Sequence, residues 1–143
     1  MTTASARRVV RASAAYDLVV TVAFALPWTA AGVFSVLGDL HHRLGLGGVT
    51  PSPGDVYQVL FAGLMGSVVT VWAAYRVAHP SLAAGAADTV ARGLFSLGMA
   101  VALAHGASPL VLALLVPEVG WGVVQGVAVT RARRAADPAL VAS

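Results

Sequence analysis

Residues 108–134, SPLVLALLVPEVGWGVVQGVAVTRARR, form an apolar run that ends in a cluster of arginines. The run begins with Ser-Pro, which is a helix-start signal because serine caps a first turn and proline fits the first helical position. An apolar run of about 20 residues spans the hydrocarbon core of a bilayer as a helix. The stretch therefore predicts a membrane-spanning helix with its arginine end at one surface.

The composition of the whole chain points to the same environment. Of its 143 residues, 58% are hydrophobic and 10% are charged, whereas a soluble domain carries about 25% charged residues. The chain has no cysteine, which excludes disulfides, thiolate nucleophiles, iron–sulfur clusters and thiolate zinc sites. We therefore predict an all-α fold: one polytopic membrane domain built as a four-helix bundle.

The predicted spans are the long segments with few or no charged residues. They cover residues 16–38, 53–77, 87–105 and 109–130. Pro27 lies inside the first span, where it removes one backbone hydrogen bond and is expected to kink the helix.

The remaining segments are predicted to lie outside the bilayer core. Residues 39–52 are expected to form a short interfacial segment on the outer side, between the first and second spans. The two ends, residues 1–12 and 135–143, are expected to be flexible because they are short, polar or unanchored.

The arginines indicate the orientation of the bundle. Only Arg43 falls on one side, and the others share the opposite side: Arg7, Arg8, Arg11, Arg76, Arg92, Arg131, Arg133 and Arg134. Positive residues accumulate on the cytoplasmic side of membrane proteins. We therefore expect cytoplasmic termini in a multi-pass protein of the cell inner (plasma) membrane. Arginine without lysine, among much Ala, Gly and Val, is typical of a GC-rich bacterium.

A helical-wheel projection places one polar or aromatic face on each span, and these faces should converge in the bundle interior. The candidate ligand-binding residues on these faces are Asp17, Trp28, Asp88, Arg92, Phe95, Glu118, Trp121 and Gln125. Most of the charged ones lie near the cytoplasmic ends of their helices, and Glu118 lies near the midplane. The pattern predicts a polar lane that rises from the cytoplasm and stops at Glu118.

Two of these candidates each have a structural and a functional interpretation. Asp88 and Arg92 are four residues apart in the favourable order for a helical ion pair, although Arg92 could also bind an anionic ligand. Glu118 follows Pro117, which leaves the carbonyl of Ala113 without its usual donor. A protonated Glu118 could supply that hydrogen bond, or it could transfer protons or bind a ligand.

Small residues on two spans predict close helix packing. Ala62, Gly66, Thr70 and Ala73 form a narrow stripe on the second span, and a GxxxG motif covers residues 122–126. Such stripes let helix backbones approach closely in lipid. The GxxxG motif follows no strand, so packing is a better interpretation than nucleotide binding.

No metal or cofactor site is predicted. His41 and His42 are adjacent, so on a helix their side chains diverge by about 100° and do not form a ligand pair. The basic residues lie at span ends instead of forming a patch on a soluble face, which argues against a nucleic-acid partner.

Four segments together resemble small four-span bacterial membrane proteins of the BphX/DoxX-like type. They are Pro27-Trp28 followed by LGDLHHRLGLGG, then FAGLMGSVVTVWAAYR, then ADTVARGLF, and finally GASPLVLALLVPEVGWGVVQ. The resemblance lies in layout and implies a four-helix membrane bundle. It implies no particular activity, so no catalytic residue is carried over.

Three functions fit the sequence. The first is a binding or accessory protein for a lipophilic or weakly acidic small molecule that enters from the cytoplasmic side. The second is a membrane enzyme of the isomerase or cyclase type, with Glu118 as proton donor to a lipophilic substrate. The third is a structural or assembly partner, as a homo-oligomer or within a larger membrane complex. A transporter or channel is disfavoured because the polar lane stops at Glu118.

Overall fold

The structure is a computed structural model that describes residues 1–136. The described chain is all-helical, and its α-helices are α1 (Thr3–Thr21), α2 (Pro27–Arg43), α3 (Val56–Ala78), α4 (Leu82–Ala104) and α5 (Leu112–Ala136). Single 3-10 turns cover Val22–Phe24 and Pro109–Val111. The all-α prediction is confirmed for this part of the chain.

Three helical segments are long and apolar enough to cross a membrane: Val56–Ala78, Leu82–Ala104 and Pro109–Ala136. A fourth is counted if the bent pair Thr3–Phe24 and Pro27–Arg43 forms one broken span. The described chain therefore has three or four candidate spans.

The first span differs from its prediction. The sequence predicts one kinked helix over residues 16–38, whereas the structure has two helices whose axes differ by 95°. Leu26 is extended (φ −123°, ψ 142°) and Pro27 is the first residue of α2. The residue before a proline avoids the helical region, and proline suits a helix start. Pro27 therefore begins a new helix instead of kinking an old one.

The N-terminal segment also differs from its prediction. Residues 1–12 were expected to be flexible, but α1 already begins at Thr3. The Thr2 hydroxyl caps it by accepting a hydrogen bond from the backbone N–H of Ser5, at 3.2 Å. Ala6 and Val10, four residues apart, are fully buried. This apolar stripe holds the basic segment in a helix, since burial of one face stabilises a helix more than propensity does.

The predicted outer segment, residues 39–52, is partly helical because α2 continues to Arg43. It then joins the α4–α5 turn: Val49 donates to the carbonyl of Gly106 at 2.7 Å and accepts from the N–H of Ser108 at 3.0 Å. At the opposite end of the chain, the predicted flexible segment 135–143 lies outside the described residues except for Ala135 and Ala136, which end α5.

Close approaches between helices occur at glycines. A Cβ on Gly66 of α3 would lie 2.5 Å from Phe24, and one on Gly126 of α5 would lie 3.1 Å from Thr89 of α4. A Cβ on Gly85 would meet Val10 at 2.6 Å. The predicted packing role is confirmed for Gly66 and for Gly126 of the GxxxG motif.

The helices do not pack evenly around the bundle. α4 packs along α5, and α1 packs on both α3 and α5. α3 and α4 are neighbours in sequence, but they make no extensive contact with each other. This arrangement leaves a gap between α3 and α4.

Candidate functional site

Arg92 of α4 is the centre of a buried hydrogen-bond network. Its Nη2 donates to both carboxylate oxygens of Asp17, at 2.7 and 2.6 Å, and to the hydroxyl of Ser13 at 2.7 Å. Its Nε donates to Asp88 at 3.1 Å, and its Nη1 donates to Glu118 at 2.8 Å. All three guanidinium nitrogens are therefore engaged, and the side chain is only 2% exposed.

Arg76 of α3 joins the same network from the opposite side. Its Nη2 lies 2.5 Å from Asp17, and its Nη1 lies 2.7 Å from Asp88. Its guanidinium carbon also lies 5.6 Å from the ring centroid of Trp72, within cation–π range. The side chain is fully buried. Arg76 was not among the candidate ligand-binding residues named from the sequence.

Neutral side chains complete the shell around Asp88. Gln125 donates from Nε2 to Asp88 at 2.9 Å and to the carbonyl of Gly85 at 3.0 Å. The indole N–H of Trp72 donates to the other carboxylate oxygen at 3.1 Å. Because buried charge is costly without such partners, these bonds stabilise the carboxylate inside the bundle.

We call Asp17, Arg76, Asp88, Arg92 and Glu118 the charge cluster. Its members come from α1, α3, α4 and α5, so it connects the four long helices of the bundle. It contains three carboxyl groups and two guanidinium groups, so one negative charge is left over when all five are ionised.

Glu118 is the member of the cluster with a free oxygen. Oε2 accepts from Arg92, but no side chain or backbone group among residues 1–136 donates to Oε1. Glu118 pairs across the interior with α4, and its side chain remains 14% exposed.

That exposed part of Glu118 faces an apolar cavity of about 610 Å³. Its walls include Phe24, Met65, Leu94 and Leu114, and Asp17, Asp88 and Glu118 lie at its polar end. The break after Phe24 explains this space: α1 stops beside the charge cluster, so it does not fill the interior beyond it. We call this space the α3–α4 cavity.

The bundle is closed on the side of the cluster where α1 begins and α5 ends. Ala6, Val10, Ala84, Ala128 and Ala132 are each at most 7% exposed there. Small side chains let α1, α4 and α5 pack closely in this part, and the cavity does not extend into it.

The cavity is open at the gap between α3 and α4. Of the exposed side chains that line the cavity, four lie on the two helices that border this gap: Met65 and Val68 on α3, and Leu94 and Phe95 on α4. All four are apolar. The opening therefore matches the chemistry of lipid chains better than that of water.

The structure brings together five of the eight predicted ligand-binding residues. Asp17, Asp88, Arg92, Glu118 and Gln125 lie in or directly on the charge cluster. The predicted helical pair between Asp88 and Arg92 is present.

The other three candidates are aromatic and lie in different places. Phe95 lines the cavity. Trp121 packs against Tyr16, with ring centroids 6.1 Å apart, but it does not line the cavity. Trp28 is 70% exposed on α2, because the break before Pro27 turns it away from the interior.

The paired histidines lie far from this site. His41 Nδ1 and the Ser108 hydroxyl form a buried hydrogen bond of 2.8 Å, which ties the end of α2 to the α4–α5 turn. Within residues 1–136, no group of three or more His, Cys, Asp or Glu side chains is placed to hold a metal ion.

Comparison of the chain with protein-family models, with curated proteins and with solved structures found no match. The resemblance to the BphX/DoxX-like families therefore stays a prediction, and function has to be argued from the site.

Proposed function

We propose that this protein is a multi-pass membrane protein that binds a lipophilic small molecule in the α3–α4 cavity. The observation that carries the proposal is an apolar cavity of about 610 Å³ that ends at a carboxyl group with one free oxygen. Ligand sites are mostly apolar, with a few polar groups that fix the orientation of the ligand.

The membrane setting is supported by the outward faces of the helices. Large apolar side chains are exposed along α3, α4 and α5, among them Val71, Leu97 and Val116. Most arginines lie toward the end of the bundle where α1 begins and α5 ends. By the positive-inside rule, both termini face the cytoplasm, and the membrane is the inner (plasma) membrane.

The packing favours entry of the ligand from the bilayer. The sequence predicted entry from the cytoplasmic end, which is closely packed by Ala6, Val10 and Ala128. The gap between α3 and α4 is instead lined by exposed apolar side chains. A molecule dissolved in lipid would reach the cavity through this gap without crossing water.

The contacts of Arg92 count against the predicted weakly acidic ligand that this side chain would hold. Each guanidinium nitrogen of Arg92 already donates to a carboxylate, and one also donates to Ser13. Arg92 is also only 2% exposed and is not among the residues that line the cavity, so it is not placed to hold an acid there. In this proposal Arg92 positions Glu118, and Glu118 meets the polar end of the ligand.

The proposal is tested by filling the cavity. Gly98 lines it, and a Cβ on Gly98 would meet no atom within 4 Å, so Gly98→Phe should fit inside and occupy ligand space. Gly93 lies on the same helix outside the cavity and is equally unobstructed. Gly93→Phe is therefore the matched control, because it makes the same glycine-to-phenylalanine change in α4 without filling the cavity.

The probes are dodecanol, dodecanoate and dodecylammonium, each below its micellar concentration, with the protein in phosphatidylcholine nanodiscs. At about a hundred times its Kd, a bound probe should stabilise the protein by about 2.7 kcal/mol. At least one probe should raise the unfolding temperature of the unmodified and Gly93→Phe proteins, but not of Gly98→Phe. Ala62→Phe fills the cavity from α3 and should behave like Gly98→Phe. Stabilisation that survives both cavity-filling variants, or that no probe produces, would refute the proposal.

Acid–base catalysis is a second candidate function, favoured by the free Oε1 of Glu118 at the cavity wall. A protonated Glu118 could donate to a lipophilic substrate, as in isomerase or cyclase chemistry. Accumulation of an altered lipid in cells that overproduce the protein would support this function. Loss of that product in Glu118→Gln, with the protein still folded, would distinguish catalysis from binding.

A further inference from the structure

The charge cluster defines the kind of polar group that the cavity accepts. Its three carboxyls exceed its two guanidiniums by one negative charge when all are ionised. An unbalanced charge inside a bilayer protein is costly because the surrounding dielectric is low. Either a proton or a positively charged group from outside the cluster would balance it.

The free oxygen of Glu118 is where such a group would bind. Oε2 of Glu118 is held by Arg92 at 2.8 Å, and Oε1 accepts no bond from any described residue. The oxygens of Asp17 and Asp88 already accept bonds from Arg76, Arg92, Gln125 and Trp72. Among the carboxylate oxygens of the charge cluster, Oε1 is therefore the one left for a ligand.

The groups that face Glu118 come from three other helices. They are Tyr16 and Asp17 on α1, Arg76 on α3, and Asp88 and Arg92 on α4. Both arginines are neutralised by carboxylates, so the polar end of the cavity attracts a cation and repels an anion when Glu118 is ionised.

The cavity walls suit a cation with an apolar body. The rings of Tyr16, Trp72 and Phe95 line the same space as Glu118, and aromatic faces attract cations when water is excluded. The remaining lining is mainly aliphatic, with Val20, Met65 and Leu114 among its members.

We infer that the ligand is a lipophilic monocation, such as a long-chain amine, whose charged head binds Oε1 of Glu118 in place of a proton. This inference rests on the proposed function, because it assigns the ligand class of the same cavity. In the empty protein a proton on Glu118 balances the cluster. When the cation binds, that proton passes to water and the cluster stays neutral.

The same three dodecyl probes test the inference, because they differ only in the head group. Dodecylammonium should bind at least tenfold more tightly than dodecanol, and dodecanoate should bind most weakly. In Glu118→Gln the extra charge is gone while Arg92 can still donate to the amide oxygen, so dodecylammonium should lose its advantage. Asp39→Asn, which removes an exposed acid on α2, should retain it.

The exchange of proton for cation is measured on the unmodified protein, so it needs no variant that could misfold. An alkyl amine has an ordinary pKa near 10.4 and stays charged between pH 6 and 8. Its affinity should increase with pH, by up to about tenfold per unit, because the proton competes for Glu118. The affinity for dodecanol should not change in that direction.

The outcomes separate the two proposals. If no probe binds in the cavity, the proposed function fails. If dodecanol or dodecanoate binds as tightly as dodecylammonium, or if the affinity for dodecylammonium is independent of pH, the cavity is a lipid site and the cation inference is wrong.

Discussion

Nη1 of Arg92 donates a hydrogen bond to Oε2 of Glu118 at 2.8 Å, and this contact joins α4 to α5 beside the α3–α4 cavity. The same guanidinium binds Asp17 of α1 and Asp88 of α4. One side chain thus links three helices and positions the carboxyl group that faces the cavity. A buried ion pair adds little to the free energy of unfolding compared with a well-packed apolar pair. Removing only one partner lowers that free energy strongly, because the other charge stays buried without a partner.

Arg92→Ala is therefore expected to destabilise the protein strongly. It leaves Asp17, Asp88 and Glu118 with one guanidinium among them, and breaking a buried pair in this way costs about 3–5 kcal/mol. The free energy of unfolding in nanodiscs or mixed micelles measures the effect. Arg8→Ala removes an exposed arginine of α1 and should change stability little. A similarly small effect for Arg92→Ala would mean that the cluster is not formed.

Gly66→Ala is expected to weaken the contact between α3 and Phe24, which lies in the 3-10 turn after α1. The new Cβ would lie 2.5 Å from backbone and side-chain atoms of Phe24, so α1 would have to shift. Overpacking of this kind costs about 1–3 kcal/mol. Gly93→Ala adds the same methyl group where nothing lies within 4 Å and should not destabilise. Equal effects of the two substitutions would contradict the contact.

The bend between α1 and α2 can be measured directly, because the chain has no native cysteine to remove. Spin labels at Arg8 and Arg43 would be about 52 Å apart on a straight helix with a rise of 1.5 Å per residue. With the observed bend of 95°, the same rise gives about 34 Å. Double electron–electron resonance should find the shorter distance between the labels at Arg8 and Arg43.

A label pair on α5, at Val116 and Arg134, provides the calibration for that measurement. These positions lie on one continuous helix and should be about 27 Å apart. If the α1–α2 pair were found near 52 Å while this pair gave its expected value, α2 would continue α1 and could fill the cavity.

The proposed orientation predicts which ends of the bundle react from outside the cell. A cysteine at Leu46, between α2 and α3, should react with a membrane-impermeant maleimide in intact cells. A cysteine at Ser5 should react only after the cells are opened, because the positive-inside rule places the N-terminus in the cytoplasm. The reverse pattern would invert the orientation, and labelling of both sites in intact cells would contradict membrane insertion with cytoplasmic termini.

Much of the architecture could be predicted from apolar periodicity and charge spacing. The three later apolar helices, the Asp88–Arg92 pair and the contact at Gly66 follow from local rules that act over a few residues. The grouping of Asp17, Glu118 and Gln125 followed from the cost of polar groups facing lipid.

The features of the fold and site that could not be predicted depend on the helix break between α1 and α2. A helical-wheel projection assumes a constant turn of about 100° per residue, and the extended Leu26 interrupts that phase. Trp28 was projected onto the interior for this reason, although it is 70% exposed. Arg76 was left out of the candidate site residues because the position of a residue on a helix does not show which partners a long side chain reaches.

Ligand binding in the α3–α4 cavity is tested most directly by asking whether a lipophilic molecule binds beside Trp72, whose ring lines the cavity. The double substitution Trp28→Phe and Trp121→Phe leaves Trp72 as the only tryptophan. In nanodiscs, 2-bromododecan-1-ol should quench its fluorescence saturably, unbrominated dodecanol should reverse the quenching, and Gly98→Phe should abolish it. Quenching that increases linearly without saturation, or that Gly98→Phe leaves unchanged, would show that the probe lies only in the surrounding lipid and would contradict the claim.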